Sequence, residues 1–195
     1  MKYPFSAIRN EQMPRSRVAL LQHILDTYAS ETNKVISVWA TFVDSDLGYR
    51  PHVSSSSVAE IMKHQLLSER RFFAEFLGLT EVAAEQVLPQ RLTVEHLNQR
   101  MLELALPRLG FLAERDEDWW RTVVPFFDTR RERIWIFWRR VLHSAHHRTQ
   151  LTVYLRLLGK AVPSTYGPTA DVKWQGADPT TNVEAAGRSG KTSGD

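Results

Sequence analysis

Apolar residues recur along most of this chain at intervals of three and four, the spacing that lines one face of an α-helix. Between about residues 14 and 43, Val18, Leu21, Leu25, Tyr28, Val35, Val38 and Trp39 keep that interval and predict a first long helix, its middle loosened at Asn33. The run Asp44-Ser45-Asp46-Leu47-Gly48-Tyr49-Arg50-Pro51 is rich in turn formers and leads into serines at 54–57, so the chain reverses here. Ser57 and Glu60 have the spacing of a capping box, in which serine accepts a backbone N–H and glutamate reaches back. A second helix therefore starts at this point and runs to about Leu77, where Gly78 stops it. Val58, Ile61, Met62, Phe72, Phe73 and Phe76 form its inner stripe, with His64 at the margin and so semi-buried.

A third helix is predicted over about 93–115, carrying Leu97, Met101, Leu104, Ala105 and Leu109 inward, with a kink expected at Pro107. The stretch from Asp118 to Phe127 is aromatic and β-branched and reads as an extended crossover packed on the helices. From about Arg130 to Leu158 the helical interval returns, and Gly159 followed by Pro163 ends it. Beyond Tyr166 the residues turn to Gly, Thr, Ser, Pro and Asp, which predicts a mobile tail over 169–195. The chain reads as all-α, one domain over 1–168 followed by that tail.

Composition narrows the class. A chain of 195 residues suffices for one domain with its own core, and 43% hydrophobic with 24% charged residues is ordinary for a globular protein. The longest apolar run, Ile134-Trp135-Ile136-Phe137-Trp138, is far short of the roughly 20 residues that span a bilayer. Met1-Lys2-Tyr3-Pro4-Phe5 does not open a secretory signal, and a cytoplasmic location is expected. The absence of cysteine removes disulfides, thiolate ligands and cysteine nucleophiles.

A net charge of +3 is too small to argue for nucleic acid by itself. Arg130, Arg131, Arg133, Arg139, Arg140 and Arg148 are close in sequence, but at about 100° per residue they spread around the helix axis. They are expected to be solvated or paired with carboxylates, and DNA binding is disfavoured.

The chemistry concentrates in histidines. His143 and His147, four residues apart, project from one side of the last helix about 40° apart and can share an ion, whereas His146 points elsewhere. Gln150, Leu151, Tyr154, Leu157 and Leu158 lie on the same side, while Arg148, Thr149, Thr152 and Arg156 face away. Earlier in the helix the stripe changes side to Ile134, Phe137, Trp138, Val141 and Ala145, which the crossover or a second subunit must cover. Paired imidazoles chelate zinc, nickel or iron, but such a pair is also compatible with core histidines bonded to carbonyls or to Tyr154. Ser144 stands where a zinc peptidase needs glutamate, so HExxH chemistry is absent. An open metal site needs a third ligand: His64 is the best candidate, His23 a weaker one, and His52 and His96 read as loop and surface residues. Glu60 and Glu132 are candidate neighbours of the site, each more readily explained as a helix cap or a solvated charge.

The segment HSAHHRTQLTVYLRLLGKAVPSTYG, from His143 to Gly167, resembles the last-helix signature of the DinB-like superfamily. SVAEIMKHQLLSERRFF, from Ser57 to Phe73, resembles the segment that carries that family's first ligand, at His64. The resemblance implies an up-down-down-up-type four-helix bundle and one divalent ion, zinc or nickel, held by His64, His143 and His147. Gln150 and Tyr154 would then line or tune the open position, or simply pack. It implies a homodimer and a small-molecule substrate. Family members include thiol transferases that use mycothiol, bacillithiol or glutathione, and proteins regarded as metal-dependent hydrolases. A metal-binding bundle without catalysis, serving in a stress response, is the alternative. The stretch Trp119–Phe127 and the chain after Asp171 have no counterpart in a minimal member.

Overall fold

The computed structural model describes residues 8–172, and its main elements are five helices and one hairpin. α1 is Gln22–Trp39, entered through a tight turn at Ala19–Leu21, so the first helix is shorter than its periodicity predicts. Asn33 does not loosen it. The side chain is buried, accepting from the Ile8 N–H at 2.9 Å and donating to the Ile8 carbonyl at 2.8 Å, which ties the incoming chain to the helix.

α2, Val58–Arg71, begins at the expected capping box: Ser57 Oγ accepts from the Glu60 N–H, and Glu60 Oε2 accepts from the Ser57 N–H at 2.6 Å. Its last turn, Phe72–Phe76, widens into a π turn, and Gly78 follows with φ of 76°, a conformation that costs glycine little. α3, Val94–Ala113, continues through Pro107. Pro107 and Glu103, whose carbonyl loses a partner, both belong to the exposed face, where water can serve it.

The predicted extended crossover is instead one helical turn and a hairpin. Asp116 accepts from the Trp119 N–H and starts α4, Glu117–Arg121, which seats Trp120 in the core. β1, Val123–Phe126, then pairs antiparallel with β2, Thr129–Glu132, in the register Val123 to Glu132. β2 takes residues that periodicity assigned to the last helix, so α5 runs Arg133–Leu157. Gly159, at φ of 69°, closes it, and the Lys160 N–H returns to the Leu155 carbonyl.

α1 packs against α3 and α5, and α2 against α5 and α3, while α4 and the hairpin cover the first turns of α5. The core has two apolar halves. One gathers Ile24, Leu25, Phe73, Leu109, Leu112, Trp120 and Phe137, the other Val35, Trp39, Met62, Leu66, Met101, Leu151 and Leu155. Glu31 on α1, Glu69 on α2 and Arg148 on α5 fall between these halves along their helices, and each is buried in an ionic network. Glu69 lies 3.0 Å from Arg140 and 3.3 Å from Arg108, accepts from the Tyr28 hydroxyl, and Arg108 in turn holds Glu81 at 2.5 Å. Glu31 joins Lys34 at 2.6 Å, Arg148 at 2.5 Å and the Tyr166 hydroxyl at 2.8 Å. Arg148 therefore turns inward, against the exposed orientation the helical wheel suggested.

Of the predicted tail, residues 169–172 pack back on the bundle. Asp171 pairs with Arg156 at 2.5 Å and Val172 is buried; residues 173–195 lie outside the described residues. Among the described residues no helix is long and apolar enough to cross a membrane.

Burial alone would raise the Glu69 pKa, but Arg140 and Arg108 outweigh it and hold the carboxyl below its ordinary 4.5. A carboxylate depressed in the folded state stabilises the fold above the unfolded pKa and loses that contribution as the pH falls. Glu69→Gln is expected to cost about 3–5 kcal/mol at pH 7 by leaving two buried guanidinium groups short of charge. Urea unfolding checks this, and the gap to the native chain should narrow below a pH of about 4.5.

Candidate metal centre

His64 is brought to α5 by its neighbour. Gln65 is fully buried: it accepts from Trp39 Nε1 at 3.3 Å and donates to the Ser144 carbonyl at 3.2 Å, which fixes α2 against both α1 and α5. At the other end of the interface, the Tyr154 hydroxyl donates to the Ser56 carbonyl, just before the α2 cap, at 3.0 Å. With the two helices held in this register, His64 lies directly opposite His143 and His147.

The three rings form a compact group, with centroids 4.6 Å apart for His64 and His147, 4.6 Å for His143 and His147, and 5.2 Å for His64 and His143. One ligand nitrogen from each lies within 4.8 Å of the others, and His64 Nε2 is 3.3 Å from His143 Nε2. Nitrogens bound to zinc at about 2.0–2.1 Å in a tetrahedron stand roughly 3.3 Å apart, the separation already held by the Nε2 atoms of His64 and His143. His64 is exposed instead of semi-buried, and the other two are half-buried, so the group opens to solvent on the His64 side.

Two of the rings are oriented from behind, in opposite senses. His147 Nδ1 lies 3.2 Å from Gln150 Oε1, a carbonyl that can only accept, and Gln150 Nε2 is 3.4 Å from the Tyr154 hydroxyl. His143 Nδ1 lies 2.6 Å from Arg140 Nη1, a guanidinium that can only donate. Phe72, at the start of the π turn, stacks on His143 with centroids 6.2 Å apart. Burial, reinforced by Arg140, pulls the His143 pKa down to about 3. Burial and Arg140 lower His64, and burial lowers His147 against the pull of Gln150. All three shifts favour the neutral ring, the state a metal ligand requires.

The remaining histidines lie elsewhere. His23 sits on the carbonyl of Leu20 and stacks on Trp138, His52 accepts from the Ser54 N–H, and His96 meets Thr93 at its own helix start. His146 touches His147 ring to ring but is exposed and outside the group. Leu157, placed by the wheel on the histidine side, is exposed. Sequence reasoning missed Arg140 as a partner of the site. A signal existed: Glu69 continues the apolar stripe of Met62, Leu66 and Phe73, and a carboxylate on a buried stripe requires a cation opposite.

A model of the DinB family matches residues 13–178. The chain belongs to the DinB family. No curated protein matches its sequence. Among solved structures, a DinB-like protein from Bacillus cereus ATCC 10987 superposes with a TM-score of 0.64 at 18% identity, covering 75% of this chain and 97% of that one. The DinB-like protein YjoA of Bacillus subtilis superposes with a TM-score of 0.59 at 20% identity, covering 73% and 96%. At such identities the likeness is one of fold. Membership in the DinB family is compatible with metal binding, and His64, His143 and His147 form a group with the donor atoms to hold an ion.

The register that assembles the site rests on Gln65. Gln65→Ala should leave Trp39 Nε1 and the Ser144 carbonyl without their partner and cost about 1–3 kcal/mol, measurable by chemical denaturation.

Proposed function

We propose that this DinB-family chain binds one divalent ion, zinc or nickel, through His64, His143 and His147, and acts on a small molecule. The observation that carries the reading is the group of three imidazoles from two helices, converging with their nitrogens within 4.8 Å of one another and open on one side. Three protein ligands leave a coordination position for substrate. An ion bound there supplies Lewis acidity, which lowers the pKa of a thiol or water brought to it.

Of the two reactions, transfer of a low-molecular-weight thiol is favoured over hydrolysis. Hydrolysis calls for a general base, and the carboxylates on α2 are engaged: Glu60 caps Ser57 and faces Arg50 at 3.3 Å, and Glu69 is buried between arginines. Glu132 stands at the hairpin end of α5, eleven positions before His143. A thiol loses its proton to solvent once its pKa is lowered and needs no such base. Gln150 orients His147 by accepting its Nδ1 hydrogen, and Tyr154 holds Gln150 in turn. A metal-binding bundle without catalysis rests on the same triad and is the alternative.

Metal content of untagged protein, measured by mass spectrometry beside His147→Ala, tests the reading. Near-stoichiometric zinc or nickel in the native chain that drops at least tenfold in the variant is expected. A native chain that remains empty after incubation with each ion would sink it. Thiol-dependent consumption of an electrophile by the loaded native chain, lost in the variant, separates the transferase from the non-catalytic bundle.

A second copy of the chain is the proposed partner. Leu142, Val153 and Leu157 are 64%, 53% and 58% exposed and, with His146 and Thr149, lie along one side of α5. That stripe can pack on its own symmetry mate. Light scattering should show a dimer for the native chain and a monomer for Val153→Glu.

A further inference from the structure

The two supports of the triad, buried Arg140 and half-buried Gln150, impose opposite hydrogen placements. Gln150 presents a carbonyl oxygen to His147 Nδ1 at 3.2 Å, so that nitrogen carries the ring hydrogen and Nε2 keeps its lone pair. Arg140 presents a guanidinium N–H to His143 Nδ1 at 2.6 Å. A guanidinium has five donors and no acceptor, so His143 Nδ1 must supply the lone pair, and in the neutral ring the hydrogen sits on Nε2. That Nε2 is the atom 3.3 Å from His64 Nε2, at the centre of the group. The hydrogen of His143 therefore occupies the place where an ion would take its third lone pair.

Arg140 is restrained in this position. It is 2% exposed, and its Nη2 donates to the Gln65 carbonyl at 3.1 Å and to Glu69 at 3.0 Å. Its guanidinium carbon lies 5.7 Å from the centre of the Phe72 ring, which itself stacks on His143. Metal-bound histidines elsewhere donate their second ring hydrogen to a carboxylate or carbonyl, the arrangement His147 has and His143 lacks.

We infer that Arg140 is a positioning residue that fixes His143 as the Nε2–H tautomer and so holds the third ligand of the triad closed, weakening metal binding. An ion can take all three nitrogens only when the guanidinium releases Nδ1 and the ring hydrogen moves there from Nε2. The inference rests on the metal reading for its effect on affinity, but the tautomer is a property of the metal-free chain.

Two measurements test it. In the metal-free native protein, histidine nitrogen NMR should show His143 as the Nε2–H tautomer and His147 as the Nδ1–H tautomer. Zinc affinity, by competition with a chromophoric chelator, should rise about 10–100-fold in Arg140→Gln, whose side chain can offer a carbonyl to Nδ1, and by less in Arg140→Met. A loss of packing alone would weaken zinc binding, so the sign separates positioning from a structural role. A native His143 in the Nδ1–H form, or affinities unchanged or lower in both variants, overturns the inference. If neither the native chain nor the variants take up zinc or nickel, the metal reading fails and the affinity effect with it, whereas the tautomer assignment is decided separately by the native spectrum.

Discussion

The carboxylate of Glu69 is the point on which the bundle turns. It is buried at the junction of the two apolar halves of the core, and it answers Arg108 from α3 and Arg140 from α5 while accepting from Tyr28 on α1. Four helices therefore meet at one charge. Isolated, such a charge would be expelled or neutralised; paired with two guanidinium groups, it demands a single arrangement of its neighbours. Apolar packing tolerates small slippage between helices, because one methyl group replaces another at little cost, but a buried ion pair does not.

This constraint reaches the histidines through a short chain of contacts. Arg140 stands between Glu69 and His143, and the same guanidinium binds the carbonyl of Gln65, the residue next to His64. One buried cation thus touches the backbone beside one candidate ligand and the ring of a second. The third, His147, is governed separately by Gln150 and Tyr154, which connect it to the start of α2. Structural electrostatics and the candidate site are connected in this protein: the groups that hold the helices in register also contact the histidine rings or the backbone beside them.

The outer parts of the fold follow different rules. The hairpin and α4 cover the first turns of α5, the stretch where the helical wheel left two apolar sides needing shelter. Trp120 supplies much of that cover from within the chain. Farther along α5, Leu142, Val153 and Leu157 are exposed among the described residues, which is why a second copy enters the functional reading.

The sequence alone marked four of the five helices and the candidate histidine pair. Capping at Ser57, stops at Gly78 and Gly159, and the four-residue spacing of His143 and His147 are local matters, governed by backbone hydrogen bonding and by rotation of about 100° per residue. His64 was the best third candidate from its place on the second helix, and the resemblance matched it to the family's first ligand, but no local rule could bring a residue 79 positions away to His143. The tertiary structure decided what depends on partners distant in sequence. It made the crossover a hairpin, because strands need each other's backbone groups, and it turned Arg148 inward, because Glu31 waits there. It also set a donor behind one histidine and an acceptor behind another. Periodicity tells which side of a helix a residue occupies, but only the packed neighbours decide what that side meets.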